Sequence, residues 1–265
     1  MPQHLTTYED QQLSAARIAF LLSQRGFEIP VACFAATEST QDEARAALVD
    51  GAPHGSVFVA EHQRHGRGRR GRRWISGVGA LLFSIVIHDA WSKGSTWPVV
   101  AAAVATLSAA ESEEGVTLQI KWPNDLVFGE RKAAGILVEA VGPDAVLGVG
   151  INVNDAPGIA DGTAAVSLAE IAGRRLDRSE ILVSFVAQIL ETLALPMAAR
   201  GAVHALWEAR SAVRGVWVEL SGSGWRKTGR VEGFGPQGEL LLRTSGGVIE
   251  VITVGDITVR PTPRY

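Results

Sequence analysis

Residues 64–73 read RHGRGRRGRR, six arginines and no acid in ten positions. They lie between two strongly apolar runs, SVFVA at 56–60 and ALLFSIVIH at 80–88. Both flanking runs are short and rich in β-branched and aromatic residues, so they read as core strands. Guanidinium groups do not enter a core unpaired, so the segment between has to be a surface loop. Its alternating glycines let backbone N–H groups turn toward an oxyanion, and its arginines supply forked cationic donors. Trp74 adds a flat face at the loop's end. A solvated basic turn or an RNA-binding patch is the competing reading. Charge distribution argues against it. The chain carries 25 Lys and Arg against 28 Asp and Glu, net −3; without the six arginines of the run, 19 face 28, or −9. An acidic protein with one arginine knot suits a local anion trap better than a nucleic-acid coat.

With 265 residues, 46% apolar and 20% charged, the chain is long enough for one to two folded domains and is not globally disordered. A helix is expected over 6–25, with Thr6–Glu9 or Thr7–Asp10 as capping box and Gly26 as stop. A strand follows at 31–37, then a helix from Thr40, where Thr40-Gln41-Asp42-Glu43 repeats the capping pattern. After the two core strands, 97–112 is a buried helix by composition. Short β-rich runs are expected at 117–122, 126–128, 135–141 and 145–151. Helices are expected at 167–172 and 178–209, broken near Pro196 and Gly201. From about Val213 the texture becomes short β-rich runs between Gly, Ser and Pro-Gln-Gly turns, which suggests a small barrel. The expected fold class is α/β (α+β): an N-terminal helical extension (1–30), a mixed-sheet domain (31–212) and a small β-barrel (213–265).

Four further motifs carry polar chemistry. Lys121-Trp122-Pro123-Asn124-Asp125 ends a strand in a proline turn tipped with Asn and Asp, and such turns are common without any function. Lys132 precedes the apolar run AAGILVE, where an ammonium at a pocket mouth can meet a carboxylate, or simply mark a surface edge. Gly148-Val149-Gly150-Ile151-Asn152 lacks the third glycine and the βαβ setting of a dinucleotide site; its glycines point instead to close approach of a flat ligand or another backbone. Ser39-Thr40 suits a helix cap and can also face a ligand. No Walker-type phosphate loop occurs.

In order, Ser39-Thr40, Glu61-x-Gln63 with GRGRRGRRW, KWPND, KAAGILVE and GVGINVN resemble the biotin protein ligase family over residues 31–210. The terminal segment is similar to that family's SH3-like domain. The resemblance implies a catalytic domain of the biotin/lipoate ligase type, a substrate pair of biotin and ATP with Mg²⁺, and a carboxylase's biotin carboxyl carrier domain as protein partner. By motif position it implies biotin contacts from Ser39, Thr40, Gln41, Gln63, Gly66, Arg67, Gly68, Arg69, Lys132, Gly135, Gly148 and Gly150, with Gly148 and Gly150 leaving room for the flat ureido ring. It implies adenylate contacts from Arg69, Arg70, Arg72, Trp74, Asn124, Lys132 and Asn152. Arg67, Arg69, Lys121, Asp125 and Lys132 are the expected catalytic group, Asp125 orienting the attacking amine. Glu38, Gln41 and His65 depart from the family's usual pattern.

A lipoate ligase or octanoyltransferase would carry an R-R-x-x-G-G-G-type loop, which is not found. About thirty residues precede the first expected strand and supply one helix, whereas a helix-turn-helix needs two, so no operator binding is expected. No resident protein-bound metal, no nucleic-acid partner and no membrane association are expected. A single cysteine, Cys33, and no apolar leader fit a cytoplasmic location.

Overall fold

The computed structural model describes residues 12–90, 96–113, 115–160, 163–222, 225–253 and 258–261. Its first part runs α1 (Ala15–Ser23), β1 (Val31–Phe34), α2 (Thr40–Val49), β2 (Val57–Ala60), β3 (Leu81–Ile87), α3 (Trp97–Glu111), β4 (Gln119–Lys121), β5 (Asp125–Phe128), β6 (Arg131–Val141) and β7 (Asp144–Ile151). The seven strands form one sheet in the order β1-β2-β3-β7-β6-β5-β4. β1 and β2 are parallel, and every other neighbouring pair is antiparallel.

β3 lies mid-sheet and is buried at all seven positions, as a strand covered on both faces must be. Leu81, Phe83, Ile85 and Ile87 join the main core. Val86 points the other way, into a smaller cluster with Ala44 and Leu48 of α2 and Val146 of β7. The alternation of a strand thus divides one apolar run between two cores. α3 is apolar on every side, and 12 of its residues are buried. Its alanines let it nest against the sheet and the later helices, while Phe83 meets Phe185 edge-on at 4.9 Å.

A short hairpin, β8 (Ile159–Ala160) and β9 (Thr163–Ala164), precedes α4 (Leu168–Ala172), α5 (Arg178–Ala194) and α6 (Gly201–Ala209). The expected break in the last long helix is a 3-10 turn, Met197–Ala199, after Pro196. The chain then forms β10 (Trp217–Gly222), β11 (Trp225–Phe234), β12 (Leu240–Arg243), β13 (Ile249–Ile252) and β14 (Thr258–Pro261). These make a second, wholly antiparallel sheet in the order β13-β12-β11-β10-β14. It docks on the first part through its β11–β12 turn. Trp207 packs against Phe234 at 4.5 Å, and the buried Trp122 Nε1 donates to the Gly238 carbonyl at 2.8 Å.

One expected start and one expected cap move, while α2 begins at Thr40 as expected. α1 begins at Ala15 rather than Thr6, because Ser14 caps it and the Leu13 amide donates to Glu61 instead of continuing a helix. The threonine boxes at 6 and 7 lie outside the described residues. Gly26, at φ +82°, ends the helical segment as expected. α2 is capped by Ser39, whose hydroxyl accepts from the Gln41 amide, so Thr40 is released for other contacts.

Candidate active site

Where the floor strands β6 and β7 face α2 and the arginine loop, the molecule has an open cleft of about 100 Å³. The floor is Gly135, Gly148 and Gly150. A Cβ built on Gly150 would stand 2.5 Å from Cε2 of Trp74, and on Gly135 2.9 Å from its Cζ3. On Gly148 it would stand 2.7 Å from Oε1 of Gln41. The room these glycines create is therefore taken by two of the protein's own side chains.

One wall is a polar nest at the N-terminus of α2. Gln63 Oε1 accepts from the Thr40 amide at 2.7 Å and from the Thr40 hydroxyl at 3.1 Å. Thr40 Oγ1 also lies 2.8 Å from Oγ of Ser84, a buried serine in the middle of β3. The opposite wall is charged. Lys132 Nζ pairs with Asp125 Oδ1 at 2.7 Å and sits 5.2 Å from the centre of the Trp74 ring. A bulge between Leu126 and Val127 sets Lys132 opposite Val127 rather than one residue along.

The arginine run folds over the cleft as a closed excursion. The Trp74 amide donates to the Gly66 carbonyl at 2.9 Å and the Gly68 amide to the Arg72 carbonyl at 2.8 Å. Its tip turns through Arg70 and Gly71, both left-handed at φ +60° and +70°. From this loop Arg69 reaches Asn124 Oδ1 at 3.2 Å, and Asn124 Nδ2 is anchored on the Ile136 carbonyl at 2.7 Å. Burial, then the neighbouring Arg70 and Arg72, lower the pKa of Arg69. The guanidinium stays charged but has lost water, so an anion beside it is electrostatically favoured. Three buried polar atoms of cleft-lining side chains lack a hydrogen-bond partner: Gln41 Oε1, Trp74 Nε1 and Asn152 Oδ1. Groups of this kind are rare in a finished fold, and three of the six among the described residues gather at this cleft.

The chain matches the model of the Biotin/lipoate A/B protein ligase family over residues 33–154. It is 34% identical over 232 residues to the biotin–[acetyl-CoA-carboxylase] ligase of Mycobacterium tuberculosis, covering 84% of this chain and 86% of that one. The chain belongs to the biotin protein ligase family. It is also 30% identical over 229 residues to the bifunctional ligase/repressor BirA of Bacillus subtilis, covering 80% of this chain and 69% of that one. Among solved structures, the biotin protein ligase from Aquifex aeolicus in complex with biotin and ATP aligns with a TM-score of 0.79 at 29% identity. That alignment covers 88% of this chain and 99% of the other.

Most residues singled out in this biotin ligase family sequence line one cleft: Ser39, Thr40, Gln41, Gln63, Arg67, Gly68, Arg69, Arg72, Trp74, Asn124, Asp125, Lys132, Gly135, Gly148, Gly150 and Asn152. Three lie apart. Arg70 and Gly66 are on the loop's outer concavity. Gly66 is needed at the loop's neck, since a Cβ there would come 2.6 Å from the Trp74 carbonyl. Lys121 pairs backbone with Asp125 across the β4–β5 turn but does not line the cleft. Arg67 lines it, yet its guanidinium is held by Asp42 and Glu139, each at 2.5 Å. The unusual pair Glu38 and His65 is linked, His65 Nδ1 lying 2.5 Å from Glu38 Oε2. Hydrogen bonds from His65 and then Arg64 pull the Glu38 carboxyl below the ordinary carboxylate range. Sequence reading missed Ser84 and Glu139. The signal for Ser84 was a lone hydroxyl inside an apolar strand.

Proposed function

We propose that this chain adenylates biotin with ATP and transfers the biotinyl group to a lysine of a carboxylase's biotin carboxyl carrier domain. The observation that carries this is a cleft holding Arg69, Lys132 and three unpartnered buried polar atoms over a glycine floor, in a chain of this family. In the first step a carboxylate oxygen of biotin bonds to the α-phosphorus of ATP, and the bond from that phosphorus to pyrophosphate breaks. Bringing the carboxylate to a polyanion costs about 4 kcal/mol per pair of unit charges 4 Å apart at an effective dielectric near 20. Arg67 faces two carboxylates, Asp42 and Glu139, while Lys132 faces one, Asp125, so Lys132 and Arg69 carry most of this offset and also steady charge developing at phosphorus. In the second step the carrier lysine's amine bonds to the acyl carbon, AMP leaves, and the amine gives up a proton. Asp125 would orient that amine by accepting its N–H hydrogen bond, and would take up the released proton and pass it to water. Trp74 and Asn152 would face the adenine side, and Thr40, Gln63 and Ser84 the biotin side.

Mg²⁺ would enter on the triphosphate, whose charge it neutralises, with Asp125 the cleft's carboxylate among the described residues; one carboxylate plus phosphates is a usual Mg²⁺ setting. A reducing cytoplasm suits a chain with one cysteine, and no helix of the described residues is long and apolar enough to cross a membrane. The test is incubation with biotin, Mg·ATP and a carrier domain, read by intact mass. One added biotinyl group on the carrier supports the reading; transfer of lipoate instead, or no transfer, overturns it.

A further inference from the structure

Gln41 is buried beside the cleft, and its side-chain oxygen Oε1 lies over Gly148 without a hydrogen-bond partner. Its Nε2 donates to Oε2 of Glu139 at 3.0 Å. A carboxylate only accepts, so the amide atom facing Glu139 must be the nitrogen, and the oxygen must face the other way. Glu139 is itself gripped: Arg67 donates to its Oε1 at 2.5 Å and, through its second terminal nitrogen, to Asp42 at 2.5 Å. Beneath the amide, Gly148 leaves only enough room for Gln41, since a Cβ there would fall 2.8 Å from its Cδ. The amide can neither turn over nor sink onto the sheet. What remains is a fixed, desolvated acceptor, which costs free energy in the empty cleft and serves no contact within the fold.

We propose that Glu139 is a positioning residue that locks Gln41 as an acceptor and so selects a ligand presenting an N–H to that wall. This rests on the biotin reading, since biotin's ureido ring carries an N–H on each side of its carbonyl. Arg67 then works as the strap on Glu139 rather than as a cation for the substrate. A ligand with oxygen in place of the N–H would set two acceptors against each other, while a ligand of the same size with the N–H would not.

The experiment measures adenylation of biotin and of the two cyclic carbamates in which one or the other ureido N–H is replaced by oxygen. The wild type should reject one carbamate by about 10⁴-fold in kcat/KM, the scale on which a site built to bond an N–H refuses an analogue lacking it. In Glu139→Leu the amide can turn over and donate. Rejection should then fall to about threefold while KM for ATP stays within about twofold, because only the biotin wall has changed. In Glu139→Gln the single amide oxygen is claimed by Arg67, which can only donate, so the NH2 faces Gln41 and rejection should fall as it does in Glu139→Leu. A folded Glu139→Leu protein that rejects the carbamate as the wild type does would overturn the proposal. So would a Gln41→Leu protein that still rejects it, whether or not Glu139→Leu folds. Equal use of biotin and both carbamates by the wild type overturns the proposal but leaves the biotin reading standing; a wild type that adenylates no biotin overturns that reading itself.

Discussion

Lys132 holds two relationships in the cleft, an ion pair with Asp125 and a place over the Trp74 ring. Lys132→Met keeps the stem and removes the ammonium, so the fold should persist while adenylate formation falls by about 10²–10³. Pyrophosphate release together with a thermal melt checks both halves; release at the wild-type rate by the folded variant would remove Lys132 from the chemistry. Cys33 is a contrasting case. Burial, with Glu61 nearby, raises its thiol pKa from 9.0 to about 11. Two units lower the thiolate fraction at pH 8 about a hundredfold, so iodoacetamide should label the native protein at least that much more slowly than the denatured one. At this scale the sequence was informative where a residue type has few uses: Lys132, Arg69 and Asn124 meet in the cleft as expected. It was silent on Glu139, because nothing local says that a strand glutamate will meet a helix glutamine 98 positions away. For the same reason it did not show the two carboxylates that hold Arg67, 25 and 72 positions distant.

The arginine loop and the floor strands depend on one another through Trp74. Gly150→Ala should displace the indole and, with it, the loop's seat, lowering adenylate formation while the sheet survives. Combining it with Trp74→Ala should recover part of any lost stability, because the clash is between those two groups; additive losses in the double-mutant cycle would refute the contact. Strands and helices with strong apolar patterns were legible, among them β3, α3 and β7. The hairpin β8–β9 was not, since two-residue strands leave no periodic signal. The start of α1 at Ala15 was not legible because Ser14 caps it beside a Leu13 amide bonded to Glu61, a contact 48 positions away that no window of sequence contains.

Taken whole, the molecule joins its two sheets at a buried polar point, Trp122 Nε1 to the Gly238 carbonyl. Trp122 stands next to Pro123 and two residues before Asn124, the partner of Arg69. Trp122→Phe would leave that carbonyl buried and unpaired, so unfolding free energy should drop by about 1–3 kcal/mol in urea titration. An unchanged midpoint would mean that the turn docks by apolar contact alone. The change of texture near Val213 announced a second β-rich unit, but the pairing order of its strands, with β14 returning beside β10, depends on register that composition does not encode.

The glycine floor has a consequence for how this chain can vary over time. Gly148 and Gly150 are small because Gln41 and Trp74 lie on them. Mutational drift at these four positions should therefore run in linked pairs. A lineage that places alanine at 148 should first, or at once, shorten the side chain at 41, and one that places alanine at 150 should alter 74. Each intermediate step taken singly would pass through a protein with a crowded cleft, which makes the order of substitutions constrained and the pairs slow to change.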